Sequence, residues 1–323
     1  MAMNMKQDRN LDEQHPQIKA LIANVEQVLI GKRMSIEMCI VAILAKGHVL
    51  LEDVPGVGKT ILVKALAKSL ACEYSRIQFT PDMLASDVTG VSIYNQKTFD
   101  FEFRPGPLRA NIILADEINR TSPKTQSALL EAMEEQTITV DGNTYPLSPP
   151  FFVMATQNPL EFEGTFPLPE AQLDRFLLKL SLGYPDPVAE VEMLKRMQLQ
   201  HPITEVEAVW NKADVLQMQT EAAQVHVAPT VMEYMVKIAN QTRQSPHLTV
   251  GASPRAIIAL YRVVQAWAFM HTRSYVLPDD IKRMAPYVLP HRMVLHSEAS
   301  FKGITIEQVL QEVLDATPIP KEI

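Results

Sequence analysis

An apolar run, His48-Val49-Leu50-Leu51-Glu52, gives way to Asp53-Val54-Pro55-Gly56-Val57-Gly58-Lys59-Thr60 and then to a helical pattern from Thr60 to Ala71. Strand, glycine loop and helix in that order form the context of a phosphate-binding loop. Backbone N–H groups and the positive end of the helix gather phosphate oxygens, and glycine lets them approach closely. The chain holds only 11 glycines, yet two fall within this loop. Lys59 is expected to reach β- and γ-phosphates and Thr60 to offer its hydroxyl to magnesium. Val54, Pro55, Gly56, Val57, Gly58, Lys59, Thr60 and Ile61 are the expected nucleotide contacts. The strict pattern has glycine where Asp53 stands.

Short apolar runs recur at Arg76–Thr80, Asn111–Ala115, Phe151–Ala155 and Phe176–Leu180, with helical patterns at Lys124–Glu135 and Glu170–Leu173 between them. Strands alternating with helices predict a largely parallel sheet covered on both faces, an α/β fold. Two stretches break that rhythm: Gly90–Arg104 alternates like a hairpin, and Thr137–Leu147 centres on the turn dipeptide Asp141-Gly142. Upstream, apolar residues recur at helical spacing from Ile18 to Ala45, with a break at Leu29-Ile30-Gly31-Lys32. After Gly183-Tyr184-Pro185-Asp186-Pro187 the pattern is helical almost throughout, from Val188–Gln200 to Thr305–Thr317. The expected division is a mobile tail over 1–16, an α/β nucleotide-binding domain over 17–185 and an all-helical domain over 186–323.

The run Asn111-Ile112-Ile113-Leu114-Ala115 ends in Asp116-Glu117. In a parallel sheet, ligands gather at the strands' carboxyl ends, beside the phosphate loop. Asp116 is expected to hold magnesium through its water shell, and Glu117 to polarise the attacking water. An apolar strand ending in two acids is a weak sign alone. Downstream of a phosphate loop it becomes a strong one.

Composition narrows the partners. With 37 acidic against 30 basic residues, net −7, the chain lacks the basic surplus of a protein that grips nucleic acid through phosphate neutralisation. Cys39 and Cys72 lie far apart in apolar stretches, and the eight histidines show no zinc spacing, so no structural transition metal is expected. The N-terminus lacks the apolar core of a signal peptide, and the longest apolar run, Cys39 to Ala45, is far short of a membrane span. A cytoplasmic protein without a transmembrane segment is expected. Met193, Met197, Met232 and Met235 read as core filling, as does Trp267 beside Tyr261 and Phe269. Glu131, Glu134 and Glu135 read as a solvated acidic face.

Leu51–Thr60 and Leu114-Ala115-Asp116-Glu117-Ile118-Asn119-Arg120 resemble the Walker A and Walker B motifs of MoxR-family AAA+ ATPases, of the helix-2-insert clade. The resemblance spans about residues 18–310, and that family's Walker A accepts the aspartate at Asp53. It makes Gly90–Arg104 the insert within helix 2 and Thr137–Leu147 the hairpin before the sensor 1 strand. It implies a P-loop AAA+ sheet sandwiched by helices, an all-α lid, and a magnesium-dependent ATPase working with ATP, ADP and Mg2+. Asn158, within Ala155-Thr156-Gln157-Asn158-Pro159, resembles sensor 1, which orients water near the γ-phosphate. Arg175, within Leu173-Asp174-Arg175-Phe176, resembles an arginine finger that reaches a neighbouring subunit's nucleotide. Arg255, in Gly251-Ala252-Ser253-Pro254-Arg255, resembles sensor 2, and Ile30-Gly31 falls where such proteins contact adenine. Arg120 is a rival finger, or a structural partner of Glu131 or Glu134. Arg255 is compatible with serving its own nucleotide or a neighbour's.

The same resemblance implies a homo-oligomeric ring, a hexamer, acting as a chaperone-like remodeller or activator of protein clients. A partner carrying a von Willebrand factor A domain is expected with it. A nucleic-acid motor or loader, a metal-chelatase motor subunit, and a nucleotide switch without turnover stand as alternatives. An arginine supplied in trans makes hydrolysis depend on assembly, and one from the lid makes lid position depend on the γ-phosphate.

Overall fold

The computed structural model of the chain describes residues 14–158, 164–197, 202–204 and 206–320. In order, these residues form α1 (Pro16–Glu26), α2 (Arg33–Leu44), β1 (Val49–Glu52), α3 (Lys59–Ser69), β2 (Tyr74–Gln78), α4 (Ala85–Thr89), β3 (Gly90–Asn95) and β4 (Asp100–Pro105). There follow β5 (Ile112–Asp116), α5 (Pro123–Glu135), β6 (Thr137–Val140), β7 (Asn143–Pro146), β8 (Phe152–Gln157), α6 (Glu170–Leu173) and β9 (Leu178–Leu180). The remainder is α7 (Pro187–Met197), α8 (Lys212–Ala223), α9 (Pro229–Gln244), β10 (Leu248–Val250), α10 (Pro254–Met270), α11 (Pro278–Val288), β11 (Val294–Leu295), α12 (Ser297–Phe301) and α13 (Ile306–Ala316).

Five strands pair in parallel in the order β2-β5-β8-β1-β9. Successive side chains of a strand face opposite ways, and the apolar runs use both faces. Val49 and Leu51, Ile112 and Leu114, and Phe152 and Met154 pack with α1, α2 and α3. Leu50, Ile113, Ala115, Val153 and Ala155 pack on the other face with Leu129, Leu130 and Met133 of α5. Because β5, β8 and β1 are neighbours, the three polar segments that follow them must converge. This is the topological reason for a site here.

Both predicted hairpins form, β3 with β4 and β6 with β7, the latter turning at Asp141-Gly142 with φ of +50° and +80°. The first core runs on into the C-terminal helices, where α10 carries the buried Trp267. Ser253, Asn211 and Thr305 cap α10, α8 and α13 by accepting N–H bonds from the first turns.

The structure differs from expectation in four places. The C-terminal part is not wholly helical: Leu248–Val250 and Val294–Leu295 pair as an antiparallel ribbon that seats the buried Leu248. Residues 14–16 are tied down, since the His15 N–H donates to the Met270 carbonyl at 2.8 Å, its ring stacks on Phe269, and Pro16 opens α1. Residues 1–13 of the expected tail, and 198–200 of the helix expected to Gln200, lie outside the described residues. Of the methionines, Met235 is buried and Met193 half-buried, whereas Met232 faces outward on α9; the Met197 side chain lies outside the described set. Finally, Trp267 is buried but Tyr261 and Phe269 are only half-buried.

Candidate functional site

The loop after β1 is shaped by two glycines in the left-handed region, Gly56 at φ +89° and Gly58 at φ +97°. A Cβ on Gly56 would meet nothing within 4 Å, so the loop opens outward, whereas one on Gly58 would run into Leu29 at 2.9 Å. Gly58 caps α3, and Lys59 and Thr60 begin it. The Lys59 ammonium donates to the Asp53 carbonyl at 3.1 Å, which lays the side chain back across the loop. Asp53 itself turns away from the loop. Its buried carboxylate accepts from the Ser181 hydroxyl at 2.8 Å and from the Leu182 and Gly183 N–H groups at 2.5 and 3.0 Å. Lys32 clamps the same turn through the carbonyls of Leu182 and Tyr184. Asp53 thus ties the loop to the segment leaving β9, a task glycine cannot perform.

At the end of β5, the buried Thr156 of β8 organises both acids. Its hydroxyl donates to Asp116 Oδ1 at 2.7 Å and accepts the Glu117 N–H at 2.9 Å. Arg76 holds the other Asp116 oxygen at 2.6 Å. Glu117 sits at φ +58°, a conformation that costs a non-glycine residue about 1 kcal/mol or more and turns its side chain out of the strand line. Its Oε2 accepts from Gln78 at 2.8 Å and from Arg120 at 2.9 Å. Gln78 was not singled out in the sequence; only the pairing of Gln78 with Asp116 across β2 and β5 reveals it. Asn158 follows β8 and is buried, while Pro159 lies outside the described residues. Among the described residues, the ion pair found for Arg120 is with Glu117 at 2.9 Å, and none is found with Glu131 or Glu134.

Ile30 and Gly31 line a cavity of about 580 Å³ with Pro187, Val188, Ala189 and Val191 of α7. A Cβ on Gly31 would stand 3.0 Å from that of Ala189, so the α1–α2 turn and α7 touch. An apolar slot beside a phosphate cradle suits a flat base. The oxygens of Thr60 and Asp116 are the hard donor type that magnesium takes. The chain's own residues therefore fit a magnesium–nucleotide complex.

Arg175 and Arg255 lie elsewhere. Arg175 precedes β9, and Arg255 is in the first turn of α10; both reach Glu134 near the end of α5, at 3.2 and 3.0 Å. Arg292, nearly fully buried, pairs with Asp174 at 2.6 Å and donates to the carbonyls of Phe176, Leu177 and Val288. Burial lowers its pKa to about 10, which still leaves it charged at neutral pH. His48, at the amino end of β1, accepts the Val153 N–H at Nδ1, and its Nε2 bonds the Met133 carbonyl, both at 3.0 Å. Burial pushes its pKa down to about 4, so the ring is neutral. Glu134, expected on a solvated face, instead bridges two arginines, because α10 and α6 converge on the end of α5.

Comparisons with known proteins place the chain among relatives. The profile of the ATPase family associated with various cellular activities (AAA) matches residues 48–178, and the AAA lid domain profile matches 240–313. The protein YeaC of Bacillus subtilis is 56% identical over 96% of this chain and 97% of its own length. Chaperone MoxR1 of Mycobacterium tuberculosis is 41% identical over 94% of this chain and 82% of its own. A crystal structure described as a candidate ATPase, from Cytophaga hutchinsonii, superposes with a TM-score of 0.89 at 42% identity, covering 94% of this chain and 95% of that one.

Proposed function

The chain belongs to the MoxR family of AAA+ ATPases, and from that membership we propose that it hydrolyses ATP to ADP and phosphate, with magnesium, within a hexameric ring. The observation that carries this is the convergence, at three adjacent strand ends, of the 53–60 loop, Asp116-Glu117 and Thr156–Asn158. Phosphoryl transfer asks a protein mainly for positioning and charge stabilisation. N–H groups of Val54 and of Gly56 to Ile61, together with the Lys59 ammonium, hold the β- and γ-phosphates. The slot of Ile30, Gly31 and α7 takes the base. Glu117, oriented by Gln78 and Arg120, polarises the water, and Asn158 helps place it. Magnesium, when bound through Thr60 and the water shell of Asp116, supplies neutralisation of phosphate charge.

Arg120 lies beside its own subunit's Glu117, whereas Arg175 lies at the opposite end of the sheet. That contrast supports Arg175 as the finger, and the shared Glu134 supports Arg255 acting in trans with it. The two working units are residues 17–185 and 186–323, the second rotating with nucleotide state.

The clients are proteins, including one with a von Willebrand factor A domain, and the setting is cytoplasmic. The name of the M. tuberculosis relative, a chaperone, supports this reading. So does the β3–β4 hairpin, which exposes Phe99, Phe101 and Tyr94 among mixed charges, a surface suited to protein rather than to phosphate backbone. Among the described residues no helix is long and apolar enough to cross a membrane.

The test is ATP turnover per subunit against protein concentration, with saturating ATP and magnesium. Specific activity should climb and plateau as rings form, and Glu117→Gln should bind ATP without turning it over. A monomer active at a constant rate would sink the ring. Wild-type turnover in the glutamine variant would remove Glu117 from its role.

A further inference from the structure

The sheet's amino end holds a cavity of about 370 Å³ lined by Lys46, Arg175, Arg255, Arg262, Arg292, Glu134 and Asp174 among others. Five cations face two carboxylates, so the cavity carries a positive excess that draws an anion. The two carboxylates differ in their duties. Asp174 gives one oxygen to the buried Arg292 at 2.6 Å, and its other oxygen stands 3.8 Å from Arg255. Glu134 divides its two oxygens between the two half-exposed arginines, Oε2 to Arg175 Nε and Oε1 to an Arg255 terminal nitrogen. Arg175 belongs to the α/β part and Arg255 to the C-terminal helices. Glu134 is therefore the side chain that joins them across the boundary.

Both arginines stay partly open to solvent, with side chains 30% and 47% exposed, while Glu134 approaches Arg175 at Nε and Arg255 at a terminal nitrogen. A guanidinium fork that remains accessible beside a carboxylate can meet phosphate oxygens. Without the carboxylate, two guanidiniums sharing this cavity with three further cations repel one another and spread into solvent.

We propose that Glu134 is a positioning residue that holds Arg175 and Arg255 as one unit, presenting their exposed guanidiniums to the γ-phosphate bound by a neighbouring copy of this chain. This rests on the reading that both arginines act in trans. It predicts that Glu134 affects turnover at the neighbour's nucleotide and leaves its own phosphate loop, at the far end of the sheet, untouched.

The experiment compares Glu134→Ala and the isosteric Glu134→Gln with the wild-type chain at concentrations where turnover has reached its plateau. Both variants should lose roughly tenfold in kcat with KM for ATP within about twofold, since misplaced catalytic groups slow the chemical step. In a background of Arg175→Ala with Arg255→Ala, adding Glu134→Ala should cost no further activity. Mixing Glu134→Ala chains with Lys59→Ala chains should restore turnover above either alone, because the second chain presents an intact arginine pair to the first chain's loop. Wild-type or faster turnover in both Glu134 variants, an equal loss in the arginine-free background, or no recovery on mixing would each overturn the proposal. Full, concentration-independent activity in the double arginine variant would instead overturn the trans reading beneath it.

Discussion

At the carboxyl ends of β1, β5 and β8 the polar groups come from three unbroken stretches, and most are fixed by backbone. Left-handed glycines shape the loop, a helix begins at Lys59, and one buried threonine aligns Asp116 with Glu117. At the amino ends of β1 and β9 the groups arrive singly from α5, α6, α10 and the turn after α11, and long charged side chains do the joining. The two ends are separated by the length of β1, about 13 Å at 3.3 Å per residue. One end carries the residues proposed to hold phosphate, all from a single chain. The other gathers five cations around two carboxylates. Under the proposed function, a single chain would bind nucleotide while turnover would wait for a neighbour.

The sharpest break of that comparison is a pair of alanine variants. Lys59→Ala and Arg175→Ala should each lower assembled turnover on the order of 10³-fold, the range in which such charges act. Equilibrium binding of ATP separates them: lost in Lys59→Ala, kept within a few-fold in Arg175→Ala. Loss of binding in the arginine variant would mean that both ends serve the same nucleotide.

Acid should weaken the amino end through His48. Its folded pKa, about 4, lies below the ordinary value of 6.5, because full burial disfavours the charged ring. The unfolded chain takes up a proton near 6.5 and the folded chain resists until about 4, so this stability is present above pH 6.5 and drains away as pH falls towards 4. The full loss is about 3 kcal/mol, measurable as denaturant midpoints at pH 7, 5.5 and 4. His48→Asn should lower stability at pH 7 and flatten that part of the profile; an unchanged slope would exclude His48 as its source.

The smallest effect is expected from Gln78→Ala at the carboxyl end. Glu117 loses one of two donors but keeps Arg120, so turnover should fall by no more than about fivefold, with ATP binding unchanged. A loss as large as that of Glu117→Gln would make Gln78 indispensable, and the comparison would then need a second essential residue outside the contiguous motifs.

Legibility in the sequence followed the same divide. The 53–60 loop, Asp116-Glu117 and both hairpins are read from neighbouring residues, because turn chemistry and the strand-to-helix switch are local properties. Gln78 and Thr156 needed strand register to become visible. Glu134 is indistinguishable in sequence from Glu131 and Glu135 beside it, since helical spacing says which face a residue occupies but not what lands on that face. Asp53 looked like a missing glycine until the end of β9 came to rest on its carboxylate.

The sequence by itself determined that a phosphate-binding loop and an acidic strand end share one parallel sheet, and with them the family. Apolar runs on both strand faces leave no other way to bury themselves, and the polar segments that follow such strands must gather at one edge. Which cations meet which carboxylates, and on which side of the sheet Arg255 lies, only the tertiary structure decided. Glu134 and Arg255, for example, are 121 positions apart, and such partners are selected by how helices pack across the boundary, not by any pattern along the chain.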